Sequence, residues 1–80
     1  MKFNKWLDTL VSEKEIDTDL VLEVEGASGT NYMPLSIVLD AIKNTTANEQ
    51  AYIKDMLVRI DFTNGDIVRY FKHLAQALAI

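Results

Sequence analysis

Large apolar residues recur at three- and four-residue intervals through four stretches of this chain, and this spacing is the strongest constraint on its fold. Such spacing places apolar side chains on one face of an α-helix, and that face has to be buried. The four sets are Phe3, Trp6, Leu7, Leu10 and Val11; Leu35, Val38, Leu39 and Ile42; Ile53, Met56, Leu57 and Ile60; and Ile67, Tyr70, Phe71, Leu74 and Leu78. They predict an all-α fold, a small compact bundle of four main helices at about 3–15, 34–44, 47–61 and 64–79.

Local signals support these helix boundaries, with one conflict. Pro34 suits the first turn of a helix, where its missing N–H has no cost. Thr46, with Glu49 three residues later, is typical of a capping box. Asn64-Gly65 is a strong hairpin signal, with 58–62 and 67–71 as the alternative strands. Because helical spacing extends along both flanks, we expect a helix, a turn and a helix instead.

Residues 19–25 are ambiguous. Leu20, Leu22 and Val24 alternate with other residues, which favours a strand. The same segment also forms a short helical face, with Gly26 as a C-terminal stop. No other segment looks like a partner strand, and a lone strand leaves its backbone groups unpaired. The sequence therefore favours a short extra helix here, with a strand as the alternative, while Gly26–Asn31 is predicted to be a loop.

The stability of this chain has to come from its apolar core. Its 80 residues are predicted to form a single domain covering 1–80. No cysteine is present to form a disulfide, and the single histidine rules out a His/Cys zinc site. Hydrophobic residues make up 49% of the chain, which is a high share for so small a domain. This composition leaves homodimer formation open.

The charge is unevenly distributed. Residues 1–40 carry eight acids and three lysines, whereas residues 41–80 carry four acids and five Lys or Arg, and the net charge is −4. An acidic chain lacks the attraction to phosphates that supplies most non-specific nucleic-acid affinity, so nucleic acid is an unlikely partner. No apolar stretch approaches the roughly 20 residues of a membrane span. We expect a cytoplasmic protein, since the lack of cysteine fits a reducing compartment.

Tests for catalytic and ligand-binding motifs predict no enzyme, cofactor or metal. His73 has no recognisable nucleophile partner, because none of the serines lies in a G-x-S-x-G elbow. Asp17 and Asp19 start like a calcium loop, but Leu22 stands where that loop needs glycine. The Gly26–Asn31 segment could cradle an anion if it led into a helix, although a simple connector is the plainer interpretation.

The last helix carries a positive stripe in an otherwise acidic chain. Arg69, Lys72, His73 and Gln76 recur at helical spacing, either as an ordinary solvated face or as a docking surface for an acidic partner. Trp6 is interpreted as a core anchor or as an interface residue. These features predict a small acidic non-catalytic protein-interaction or regulatory module. The alternative is a helix-turn-helix-like nucleic-acid-binding domain that uses the Arg69/Lys72 face.

Overall fold

A computed structural model describes residues 2–26, 28–60 and 65–78, which form four helices and a two-stranded sheet. In chain order the elements are α1 (Lys2–Glu13), β1 (Val21–Gly26), β2 (Gly29–Pro34), α2 (Leu35–Lys43), α3 (Ala47–Arg59) and α4 (Asp66–Ala77). The fold is therefore α+β. Within the described ranges, no helix combines the length and the apolarity needed to cross a membrane.

The predicted all-α fold is wrong because residues 21–34 form an antiparallel hairpin. β1 pairs with β2 in a register that places Val21 opposite Pro34 and Glu23 opposite Tyr32. Neither the predicted extra helix at 19–25 nor a lone strand occurs, since β1 has a partner in the segment predicted to be loop. Leu22 and Val24 turn inward and are buried, as the strand alternation indicated.

Glycines form the corners of this hairpin. A Cβ atom at Gly26 would lie 2.9 Å from the Asn31 side-chain nitrogen, so only glycine fits without displacing that side chain. Gly29 adopts a φ of 119°, in the region that other residues rarely enter. Pro34 ends β2 and occupies the N-cap position of α2 in an extended conformation, without a side-chain capping bond, so it precedes the helix rather than occupying its first turn.

The four predicted helices are confirmed, with shifted ends. The helix predicted at 3–15 ends at Glu13, and Glu15 then adopts a positive φ of 52°. Ile16 N–H donates to the Val11 carbonyl at 3.1 Å and Glu15 N–H to the Ser12 carbonyl at 3.2 Å. This is a Schellman motif in which glutamate occupies the left-handed position that glycine usually fills.

The junction between α2 and α3 is held by side chains as well as by backbone. Glu49 N–H donates to Thr46 Oγ1 at 3.2 Å, so the predicted N-cap is confirmed. The Thr46 hydroxyl in turn donates to the Glu49 carboxylate at 2.9 Å. Gln50 is buried, and its side-chain amide donates to the Lys43 carbonyl at 3.1 Å. The end of α2 is thereby fixed to the first turns of α3.

The helices flanking Asn64-Gly65 are confirmed, and the hairpin alternative is wrong. α3 continues to Arg59, and Gly65, with a φ of 72°, precedes α4. Residues 61–64 lie outside the described ranges. α4 buries Ile67, Phe71, Leu74 and Ala75 and packs against β1, and α2 packs beside it. The inner side of the hairpin thus shares one core with the helices.

Candidate interaction surfaces

The residues of the positive stripe lie along α4, away from its core-facing side. We call this set of residues the cationic stripe; it consists of Arg69, Lys72, His73 and Gln76. All of them are exposed except Lys72, which is half-buried. The buried residues of α4 fall between them in sequence, so the stripe and the core occupy different faces of one helix. The structure thus brings these four predicted residues together on one helix.

Charge and aromatic contacts within α4 shape the stripe. The Arg69 guanidinium lies 3.6 Å from the Asp66 carboxylate, one turn earlier. The His73 ring stacks on Tyr70, with ring centroids 6.4 Å apart and planes inclined by 24°. An open cleft of about 430 Å³ lies beside these groups and reaches Met56 of α3. Part of the positive charge of the stripe is therefore offset locally by Asp66.

Tyr70 is the described ionisable group whose environment most clearly perturbs its pKa. Burial raises the pKa of its phenol above the ordinary value of 10.0, and the nearby Tyr52 raises it further by charge repulsion. The Tyr70 hydroxyl is buried without a hydrogen-bond partner among the described residues. Both observations indicate a phenol that stays neutral at physiological pH.

Trp6 lies on α1, and its described contacts are with residues outside the stripe. Its ring is half-buried, packs against the core and meets Phe3 at a centroid distance of 5.9 Å. The Lys54 ammonium of α3 sits 5.3 Å from the ring centroid, within the range of a cation–π contact. These contacts show that Trp6 helps to join α1 to α3.

A second surface, on the hairpin, was missed by the sequence analysis. We call it the outer face and define it by Val21, Glu23, Glu25, Thr30 and Tyr32, all of which are exposed. Val21 is 55% exposed and Tyr32 is 67% exposed. The Tyr32 hydroxyl donates to the Glu23 carboxylate across the strands at 3.4 Å, a long hydrogen bond. Tyr32 was overlooked because the segment before it was interpreted as a loop.

The outer face lies in the most acidic part of the chain. Residues 15–42 contain six acids and no lysine or arginine. Asp17 and Asp19 are exposed just before β1, and the Asp17 carboxylate accepts from the Asp19 N–H at 3.0 Å. The hairpin consequently combines exposed apolar side chains with exposed carboxylates, in a segment that contains no lysine or arginine.

Two kinds of ligand site that the sequence analysis considered and did not favour, an anion cradle and a metal site, can be compared with the geometry. Gly29–Asn31 belongs to β2, so the glycine-containing segment does not lead directly into a helix N-terminus as an anion cradle would require. Among residues 2–26, 28–60 and 65–78, no three His, Cys, Asp or Glu side chains are grouped so that they could hold a metal ion. A further apolar cleft of about 390 Å³ lies between α3 and α4, where Tyr52, Ile53 and Leu74 line it.

Comparison with known proteins finds no match for this chain among family models, curated proteins or solved structures.

Proposed function

We propose that this chain is a small non-catalytic protein-interaction module that recognises a protein partner through its hairpin and, on a separate surface, through α4. The observation that carries the proposal is the exposure of Val21 and Tyr32 on the outer face. Solvent-exposed apolar side chains add little to folding, but they contribute strongly when a partner buries them. Tyrosine is especially enriched among residues that dominate binding energy.

The hairpin is built to present these side chains in a fixed arrangement. Its inner side chains, Leu22 and Val24, are anchored in the core, so the outer face cannot rotate away. The Tyr32 hydroxyl makes only a long contact with Glu23, so the restraint comes from the buried strand residues. Restraint of this kind lowers the entropy lost on association.

The cationic stripe supplies the second contact surface of the proposal. Its partner is an acidic protein surface, and the acidic residues 15–42 of a second copy would fit this description. Homodimer formation through these opposite charges therefore belongs to the proposal, as does a cytoplasmic location. Sedimentation equilibrium at high micromolar concentration tests the dimer; a monomer under those conditions would remove it.

The alternative, a nucleic-acid-binding helix-turn-helix that uses Arg69 and Lys72, has less support. Asp66 lies 3.6 Å from Arg69 and would be brought towards the phosphates with it. The net charge of −4 adds a general repulsion. Binding to DNA that weakens steeply with salt would favour this alternative over the interaction module.

Comparative capture from a lysate of the source cells tests the main proposal. The outer-face variant Val21→Thr/Tyr32→Thr places β-branched threonine, which favours strands, at both positions and replaces the large exposed apolar groups. The stripe variant is Arg69→Glu/Lys72→Glu. The matched control is Val58→Thr, which alters a valine that is similarly exposed but lies on α3. Circular dichroism first establishes that each variant folds.

We expect specific proteins to be retained by wild type and by Val58→Thr and lost from the outer-face variant, when quantified by mass spectrometry. If the stripe variant also fails to retain these proteins, the α4 surface takes part in their recognition. If folded wild type and folded outer-face variant capture the same proteins in the same amounts, the outer face is not a recognition surface and the proposal fails.

A further inference from the structure

One edge of β2 faces away from β1, and no other strand in the described ranges pairs with it. The described sheet has only two strands, so β2 pairs with β1 on one side alone. Five of its six residues are exposed. The inner face of β1 packs against α4, and β2 meets α2 where the two elements join. β2 is therefore the more exposed of the two strands.

The register identifies the backbone groups that face outward. Leu35 N–H donates to the Leu20 carbonyl at 2.7 Å, which makes these residues a hydrogen-bonded pair. Such pairs alternate along an antiparallel ladder with pairs whose N–H and C=O groups point away from each other. Counting along the register from Leu20, the backbone groups of Thr30 and Tyr32 point away from β1. They are available to a third strand.

This edge lacks the devices that usually prevent strand addition. Natural edges are protected by lysine, by inward-pointing charges, by bulges or by a proline within the strand. β2 contains no charged residue, and its proline stands only at the last position. The six-residue edge is thus open to pairing over most of its length.

Charge identifies the kind of strand that fits. An added strand would lie beside Thr30 and Tyr32, within about two strand spacings, roughly 10 Å, of Glu23 and Glu25. Lysine or arginine on its outer side can reach towards these carboxylates, which are exposed and have no cation between residues 15 and 42. A second copy paired at the same edge would instead bring two such acidic segments together.

We propose that the free edge of β2 binds an extended, basic segment of a partner protein as a third strand, with its cationic side chains over the outer face. This inference rests on the proposed function and names its partner class. Backbone pairing supplies affinity, and alternate basic side chains supply selectivity.

A titration of the full chain, labelled with ¹⁵N, tests this proposal with a hexapeptide of alternating lysine and valine as the probe. We expect saturable shifts at the Thr30 and Tyr32 amides. A peptide N-methylated at the amides that face β2 should bind about tenfold more weakly, because it loses its backbone donors. A hexapeptide of alternating glutamate and valine should not bind. Glu23→Gln/Glu25→Gln should weaken lysine–valine binding, and the difference should shrink with added salt.

Three results would overturn the proposal: no shift at Thr30 and Tyr32 with millimolar peptide, shifts confined to α4, or equal binding of the N-methylated peptide. Shifts at these two amides that depend on protein concentration without peptide would identify a second copy as the occupant instead. Failure here is separable from failure of the proposed function, because the outer-face variant tests side chains and leaves the backbone edge intact. Partners lost from that variant would still support side-chain recognition.

Discussion

The ammonium of Lys43 lies 2.6 Å from the carboxylate of Asp8, which joins the last turn of α2 to the middle of α1. The Lys43 side chain is 24% exposed and that of Asp8 is 64% exposed. The pair is therefore more shielded from solvent than a typical surface ion pair, but less shielded than a buried one. It connects residues that are distant in the sequence, whereas Arg59 and Asp55 pair within one helix.

A double-mutant cycle with Asp8→Asn and Lys43→Met should give a coupling free energy of about 0.5–1 kcal/mol. The expected value is at the upper end of surface pairs because Lys43 is largely shielded from solvent. Urea unfolding of the four proteins measures it. The exposed pair Asp55–Arg59 serves as the control, with an expected coupling of about 0.3–0.5 kcal/mol. Equal couplings for the two pairs would show that shielding of Lys43 has no energetic effect.

Thr46→Ala should lower the free energy of unfolding by about 0.5–2 kcal/mol, because the Glu49 N–H loses its capping acceptor. Thr46→Ser retains the hydroxyl and is the matched control, which should keep most of the stability. Denaturant midpoints compare the three proteins. An alanine variant as stable as the serine variant would contradict the capping role.

Glu15→Gly should stabilise the chain by about 0.5–1 kcal/mol. Glu15 has a φ of 52°, and the left-handed conformation costs an L-residue roughly 1–2 kcal/mol. The greater freedom of glycine in the unfolded chain offsets part of the gain. Glu13→Gly removes the same charge at the last residue of α1, where the lower helix propensity of glycine should destabilise the helix by up to about 1 kcal/mol. Thermal unfolding of both variants checks the opposite signs; a loss of stability in both would contradict the strain at Glu15.

The raised pKa of Tyr70 predicts a loss of stability in alkaline solution. Below pH 10.0 the phenol is neutral in both the folded and the unfolded state, so the folded protein keeps its full stability. Above that pH the Tyr70 phenol ionises first in the unfolded chain. This ionisation stabilises the unfolded state and so lowers the free energy of unfolding, until the phenol of the folded protein also ionises. Tyr70→Phe removes this contribution, so its stability should fall less between neutral and alkaline pH.

Urea unfolding of wild type and Tyr70→Phe across this pH range measures the difference. At neutral pH the variant should match or slightly exceed wild type, because it no longer buries a hydroxyl without a partner. If wild type and Tyr70→Phe lose the same free energy of unfolding at high pH, the pKa of Tyr70 is the same in the folded and the unfolded state.

The helices could be predicted because their evidence is local. Apolar spacing marks the buried side of each helix, and Thr46 marks the start of α3 through a contact only three residues long. The arrangement of Arg69, Lys72 and His73 on α4 followed from the same periodicity. Features that depend on contacts within about one helical turn can thus be predicted from the sequence.

β2 could not be predicted because its residues show no alternation of buried apolar and exposed polar side chains. Strand periodicity is visible when one side of the strand is buried, as for Leu22 and Val24 in β1. In β2 only Met33 is partly buried, so no alternation of apolar residues arises. The glycines at the corners also resemble those of a flexible loop. The outer face and its Tyr32 were missed for the same reason.

The packing of β1 against α4 also affects the order in which the chain folds. The hairpin strands are adjacent in the sequence and can meet early, since closing a short loop loses little entropy. The cover over Leu22 and Val24 is supplied by a helix encoded after α2 and α3. During synthesis on a ribosome these two side chains therefore lack the cover of α4, and are open to other nascent chains on that side, until Asp66–Ala77 has emerged.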